Sequence, residues 1–127
     1  MILNIKRLFK SFHYAFKGVH EVLKREQNLP IQIIFACAVI ALGYFLGLGR
    51  IEICILFLAI ALVLCVETIN TALEMYIDRI VHRDDEKIGL VKDILAAATL
   101  FSVVIAVIIG VILFFGPILN LILSLTL

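Results

Sequence analysis

The sequence has no GxxxxGK[ST] loop, no GxGxxG turn and no HExxH, so no standard nucleotide or metalloprotease motif assigns its chemistry. Tryptophan is absent, and proline occurs only at Pro30 and Pro117. Charge is scarce at 17% of 127 residues, and the net charge of +1 says nothing by itself about partners. The three cysteines, Cys37, Cys54 and Cys65, all lie inside apolar segments, and no pair has metal-ligand spacing. They read as small, reduced, membrane-buried hydrophobes. No short charged start precedes an apolar run, because basic residues are spread over the first 28 positions, so a secretory signal is not expected. There are no repeats and no low-complexity segments.

Apolar side chain is abundant. The chain is 64% hydrophobic with a mean hydropathy of +1.18. No soluble domain of this size can hide so much of it, which leaves the membrane class and one membrane-embedded domain over 1–127.

Residues 1–28 are expected to hold a surface helix. Ile2, Ile5, Phe9, Phe12, Phe16, Val19 and Leu23 recur at spacings of three and four, while Lys6, Arg7, Lys10, Lys17, Lys24 and Arg25 fall elsewhere on the wheel. A helix of this kind lies in the membrane interface. The alternative, a soluble helix packed on a partner domain, finds no such domain in this chain.

Three spans follow, over 29–49, 51–80 and 88–116, each long enough for ~30 Å of hydrocarbon. Pro30 suits a first turn. Gly43 and Gly47 have the small-xxx-small spacing of closely approaching membrane helices. "FGP" at 115–117 is expected to end the third helix, and the apolar tail 117–127 to lie back on the membrane surface. Six Lys and Arg precede the first span, Arg50 stands alone in the first turn, and Arg79, Arg83, Lys87 and Lys92 surround the second connection. This asymmetry puts the N-terminus and the second connection in the cytoplasm.

The second span carries the chemistry. Fourteen uncharged residues, Ile53 to Val66, lead into Glu67, Asn70, Glu74 and Asp78, spaced three, four and four. At 100° per residue these four fall within an arc of about 80°. An ionisable group at membrane depth costs several kcal/mol, so an aligned set asks for a function. Two carboxylates near the interface suit a hard cation such as Mg2+, which keeps coordination positions for substrate phosphate. Lys92 and Asp93 open the third helix and can face the foot of the stripe, making Lys92 a candidate phosphate contact. Glu26, at the junction before the first span, is a candidate second metal ligand. On spacing alone, a catalytic or transport site and polar glue between subunits remain equally open.

"ETINTALEMYID" (67–78), with "KD" at 92–93 and "SFHYAFKG" and "REQN" near the N-terminus, closely resembles the signature of the bacterial integral-membrane diacylglycerol kinase and undecaprenol kinase family, in its Gram-positive-type form. The resemblance runs from about Arg7 to Gly116. It implies an all-α integral membrane protein, a surface helix plus three transmembrane helices in a homotrimeric bundle, with sites shared between protomers in the bacterial cell membrane. It implies transfer of the γ-phosphate of MgATP to the primary hydroxyl of a membrane lipid. By match to the motif, Glu67 is the general base, and Glu26 and Glu74 hold Mg2+. Asn70, Lys92 and Asp93 surround the phosphates and nucleotide, and Tyr14 contacts ATP. Arg7 matches a functional position, and Asp78 a position with a partly structural role.

The chain departs from that pattern in three places. Pro30 stands where a basic or aromatic residue is expected, the chain runs about ten residues past the third helix, and the several tryptophans of enterobacterial members are missing. These departures leave the stripe intact and bear on the lipid. The N-terminal form favours undecaprenol over diacylglycerol. An acidic ion path and a non-catalytic assembly module are the competing functions.

Overall fold

The computed structural model describes residues 5–81 and 86–126. The expected helix start around Ile2, the connection residue Arg83 and the terminal Leu127 fall outside the described residues. Among the described residues four helices follow one another: α1 (Ile5–Arg25), α2 (Asn28–Phe45), α3 (Arg50–Ile80) and α4 (Glu86–Thr126). The last three are long and apolar enough to cross a membrane. Helices suit that setting because they satisfy every interior backbone group within the segment.

α3 is the centre of the bundle, with α4 packed along one side and α2 against another. α1 touches α2 and α3, and Val22 near its C-terminal end is its one buried residue. The buried apolar set is small: Val22, Leu29, Ala36, Ile53, Leu56, Ala59 and Phe114. Large apolar residues such as Phe35, Leu58, Phe101 and Ile112 are exposed on the spans. In hydrocarbon such exposure carries no penalty, since lipid tails are as apolar as the side chains.

The α2–α3 connection is a tight, capped turn. α2 closes with Leu46 N–H on the Leu42 carbonyl (2.9 Å) and Leu48 N–H on the Gly43 carbonyl (3.0 Å). Gly47 supplies the single positive φ among the described residues, +73°. Glu52 then accepts the Gly49 N–H at 2.6 Å, satisfying a donor that the start of α3 would otherwise leave open.

The two glycines thus divide the work that their spacing suggested was shared. Gly43 is buried, and an added Cβ would meet Leu48 Cδ1 at 3.1 Å and Ile53 Cδ1 at 3.2 Å, so it permits the close approach of α2 and α3. Gly47 has open space around it and is needed for backbone conformation alone. Accordingly, Gly47→Val should cost ~1–2 kcal/mol, the penalty for a left-handed L-residue. A thermal unfolding midpoint unchanged from wild type would contradict this.

Two boundaries differ from expectation. The first span stops at Phe45 instead of 49, because Gly47 turns the chain. The third does not end at Gly116–Pro117: α4 runs unbroken through Pro117 to Thr126, so the tail 117–127 continues the same helix as far as it is described. Proline at 117 removes one bond to the carbonyl of Leu113 and crowds that carbonyl with its ring. Ending the helix there would forgo the backbone bonds of every later turn. Ser124 and Thr126 also bond back to the carbonyls of Leu121 and Ile122.

Candidate active site

The polar stripe of α3 lies on one face, as the helical period requires, and it grades from buried to exposed. Glu67 is 3% exposed, Asn70 and Glu74 are half-buried, and Asp78 is exposed. Among the described residues, the Glu67 carboxylate has no hydrogen-bond or ion-pair partner. One turn on, Thr71 is fully buried and donates its hydroxyl to the Glu67 carbonyl at 3.0 Å. Thr68 does the same to the Leu64 carbonyl at 2.7 Å. These hydroxyls are therefore satisfied by their own helix.

Asn70 donates from Nδ2 to Glu74 Oε1 at 3.0 Å. That bond fixes the orientation of the amide, since only the NH2 end can donate to a carboxylate. The opposite atom, Asn70 Oδ1, is consequently turned away, buried, and without a partner. A buried acceptor with nothing to accept is a place for a donor or a cation. The stripe offers oxygen donors only, as a hard cation requires. Among the described residues no group of three or more His, Cys, Asp or Glu side chains gathers. A divalent ion here would therefore rest on one or two carboxylates and on phosphate oxygens.

At the foot of the stripe, Lys92 of α4 is hydrogen-bonded and ion-paired to Asp78 of α3. The short connection does bring the KD pair back to α3, and it gives Asp78 a definite task, holding Lys92. Both partners are partly exposed, with side-chain exposures of 38% and 62%, so the pair adds little stability and mainly positions the ammonium. Asp93, the next residue, is exposed. Glu26 is half-buried at the break between α1 and α2.

Two expected residues stand apart. Tyr14 is exposed on α1, with Lys10 Nζ 5.8 Å from its ring centroid and the His13 ring at 6.1 Å. Eleven helical steps from Tyr14 to Arg25 place it ~17 Å from the Glu26 end of α1. Arg7, two turns earlier, is exposed as well.

Sequence reading missed Gln32, Thr71, Thr99 and Ser102. Thr71 and Ser102 are buried, and Gln32 Oε1 and Thr99 Oγ1 are buried atoms without a partner. Only Thr71, four residues after Glu67, carried a signal that could have flagged it. Among the described residues, Gln32 is the one polar residue lining an apolar groove of about 720 Å3 between α2, α3 and α4. The groove reaches Val63 and Leu64, one turn from Glu67.

A model of the family described as prokaryotic diacylglycerol kinase matches residues 13–114. The chain belongs to the prokaryotic diacylglycerol kinase family. It is 36% identical over 111 residues to the undecaprenol kinase of Bacillus subtilis, covering 87% of this chain and 90% of that protein. It is 31% identical over 113 residues to the diacylglycerol kinase of Haemophilus influenzae, covering 88% and 96%. To the diacylglycerol kinase of Escherichia coli K12 it is 28% identical over 102 residues, covering 80% and 84%. The protein is thus a membrane lipid kinase that uses ATP. The matched region of the kinase contains Tyr14, Glu26, Glu67, Asn70, Glu74, Lys92 and Asp93; Arg7 and the last turns of α4 lie outside it.

Proposed function

We propose that the kinase phosphorylates undecaprenol, with Glu67 as general base and Glu26 and Glu74 holding Mg2+. The observation that carries this reading is the burial of Glu67 on a stripe whose next members, Asn70 and Glu74, are hydrogen-bonded to each other toward the exposed end. A lipid hydroxyl arrives from the membrane side and ATP from the water side, and the stripe connects the two. Glu67 accepts the hydroxyl proton as the lipid oxygen bonds to the γ-phosphorus; the bond from phosphorus to the β-γ bridging oxygen breaks and ADP leaves. Phosphoryl transfer needs alignment and charge neutralisation more than covalent help from the protein. Mg2+, when bound with ATP, supplies neutralisation. Lys92, presented by Asp78, and Asp93 bracket the phosphates, while Asn70 Oδ1 offers the stripe's remaining acceptor.

The same reading makes the assembly a homotrimer with shared sites, the N-terminus and active site cytoplasmic, and α1 an amphipathic helix in the membrane interface. Support comes from the charge asymmetry of the loops and from the separation of Tyr14 and Arg7 from the stripe within one chain. Each protomer is one domain.

The choice of lipid is supported by the groove that ends a turn from Glu67. Its lining is apolar except for Gln32, which suits a polyprenol with nothing but hydrocarbon behind its hydroxyl. A diacylglycerol brings ester groups that ask for donors. An apolar pocket rejects an added polar group only weakly, however. The enzyme should therefore prefer undecaprenol and retain measurable activity on diacylglycerol. The test is kcat/KM for both lipids in one bilayer at matched surface concentration; a diacylglycerol preference of about tenfold would reverse the ranking.

A further inference from the structure

We propose that a lysine stripe on α1 docks the kinase on anionic phospholipid headgroups, so that the seating of this helix depends on membrane charge. Lys6, Lys10, Lys17 and Lys24 are spaced four, seven and seven, which places all four within an arc of about 40° on α1. Each is exposed, and among the described residues none of the four forms an ion pair. The one acidic residue in α1, Glu21, is engaged by Arg25 at 3.7 Å. Among the described residues no carboxylate offsets the lysine charges, and only Lys10 has an aromatic neighbour, Tyr14.

Beside this stripe lies an uncovered apolar face. Ile5, Phe9, Phe12, Phe16 and Val19 are 52–74% exposed, and the bundle covers α1 only around Val22. The lysine arc begins about 60° from the edge of that face. Lysines on the flank of a half-immersed helix reach headgroup depth, with their aliphatic stems along the apolar boundary.

Lys10 of the stripe lies beside Tyr14, 5.8 Å from its ring, but a bound nucleotide could not occupy the whole stripe. From Lys6 to Lys24 the stripe extends ~27 Å along the helix, longer than one triphosphate can span. An extended anionic surface fits it, and three membrane spans hold such a surface beside the helix. The inference rests on the interfacial placement of α1 and is independent of which lipid is phosphorylated.

The test uses the full chain in vesicles of phosphatidylcholine alone or with phosphatidylglycerol added, read by hydrogen exchange of the α1 amides. A lysine near an anionic surface contributes roughly fivefold in binding, so four should slow α1 exchange at least ~tenfold in the anionic vesicles. About 1 M salt should abolish the difference, because screening then acts within ~3 Å. Replacing all four lysines by glutamine should remove it too, while replacement by arginine keeps it; unchanged exchange in α3 and α4 reports an intact fold. Equal α1 protection in neutral and anionic vesicles, a response insensitive to salt, or a response surviving in the glutamine variant would each overturn the proposal. Because kinase activity is not the readout, failure here leaves the catalytic assignment standing.

Discussion

Glu67→Gln should leave the chain folded and membrane-embedded but lower phosphoryl transfer by about 10²–10⁴, the usual contribution of a general base. The substitution conserves size, so the contacts that hold position 67 at 3% exposure survive. The bond from Thr71 to the residue 67 carbonyl is untouched, because it is made to the backbone. What disappears is a carboxylate able to take a proton from a lipid hydroxyl. The same variant separates the competing roles. Polar glue between helices would tolerate an amide, which hydrogen-bonds as well as a carboxylate does. Turnover is measured with labelled ATP and purified protein in lipid, alongside thermal unfolding. Retention of more than half the wild-type rate would remove Glu67 from the base position.

The second large effect is expected at Glu74. Glu74→Ala should raise the Mg2+ concentration for half-maximal rate and the KM for ATP together, by at least ~tenfold, because Glu74 would hold the cation that neutralises the ATP phosphates. Alanine also strips Asn70 of its hydrogen-bond acceptor, so a loss of activity alone would be ambiguous. Glu74→Gln resolves this. The glutamine oxygen can still accept from Asn70 Nδ2, while the charge that holds the cation is gone. A metal ligand predicts that both variants lose Mg2+ affinity; a purely structural partner of Asn70 predicts that only alanine does. Glu26→Ala should behave as Glu74→Ala does, and a normal Mg2+ dependence would exclude it from the ligand set. Activity that persists in a chelator would overturn the metal assignment entirely.

The apolar tail shows where local reading fails. Pro117 after Gly116 reads as a helix stop, and in water it would usually be one. The proline costs α4 one backbone bond, whereas stopping there would forgo the bonds of the turns that follow, and α4 continues to Thr126. Gly47 failed in the opposite direction. It looked like half of a helix-contact motif, but its positive φ makes it the turn that ends α2, whereas Gly43 does make the close contact. Spacing identified the pair without saying which glycine packs and which turns.

Composition alone put this chain in the membrane, and hydropathy counted its spans, because both are sums over residues that no packing can change. The period of the α-helix likewise placed Glu67, Asn70, Glu74 and Asp78 on one face before any neighbour was known. Depth and partnership were different. Tertiary structure alone decided that Glu67 is buried while Asp78 is exposed, that Asn70 is turned with its Oδ1 unpartnered, and that Lys92 is held by Asp78. These depend on how α4 lies along α3 and on which side chains that packing covers, and no local periodicity encodes the docking of two helices separated by a turn.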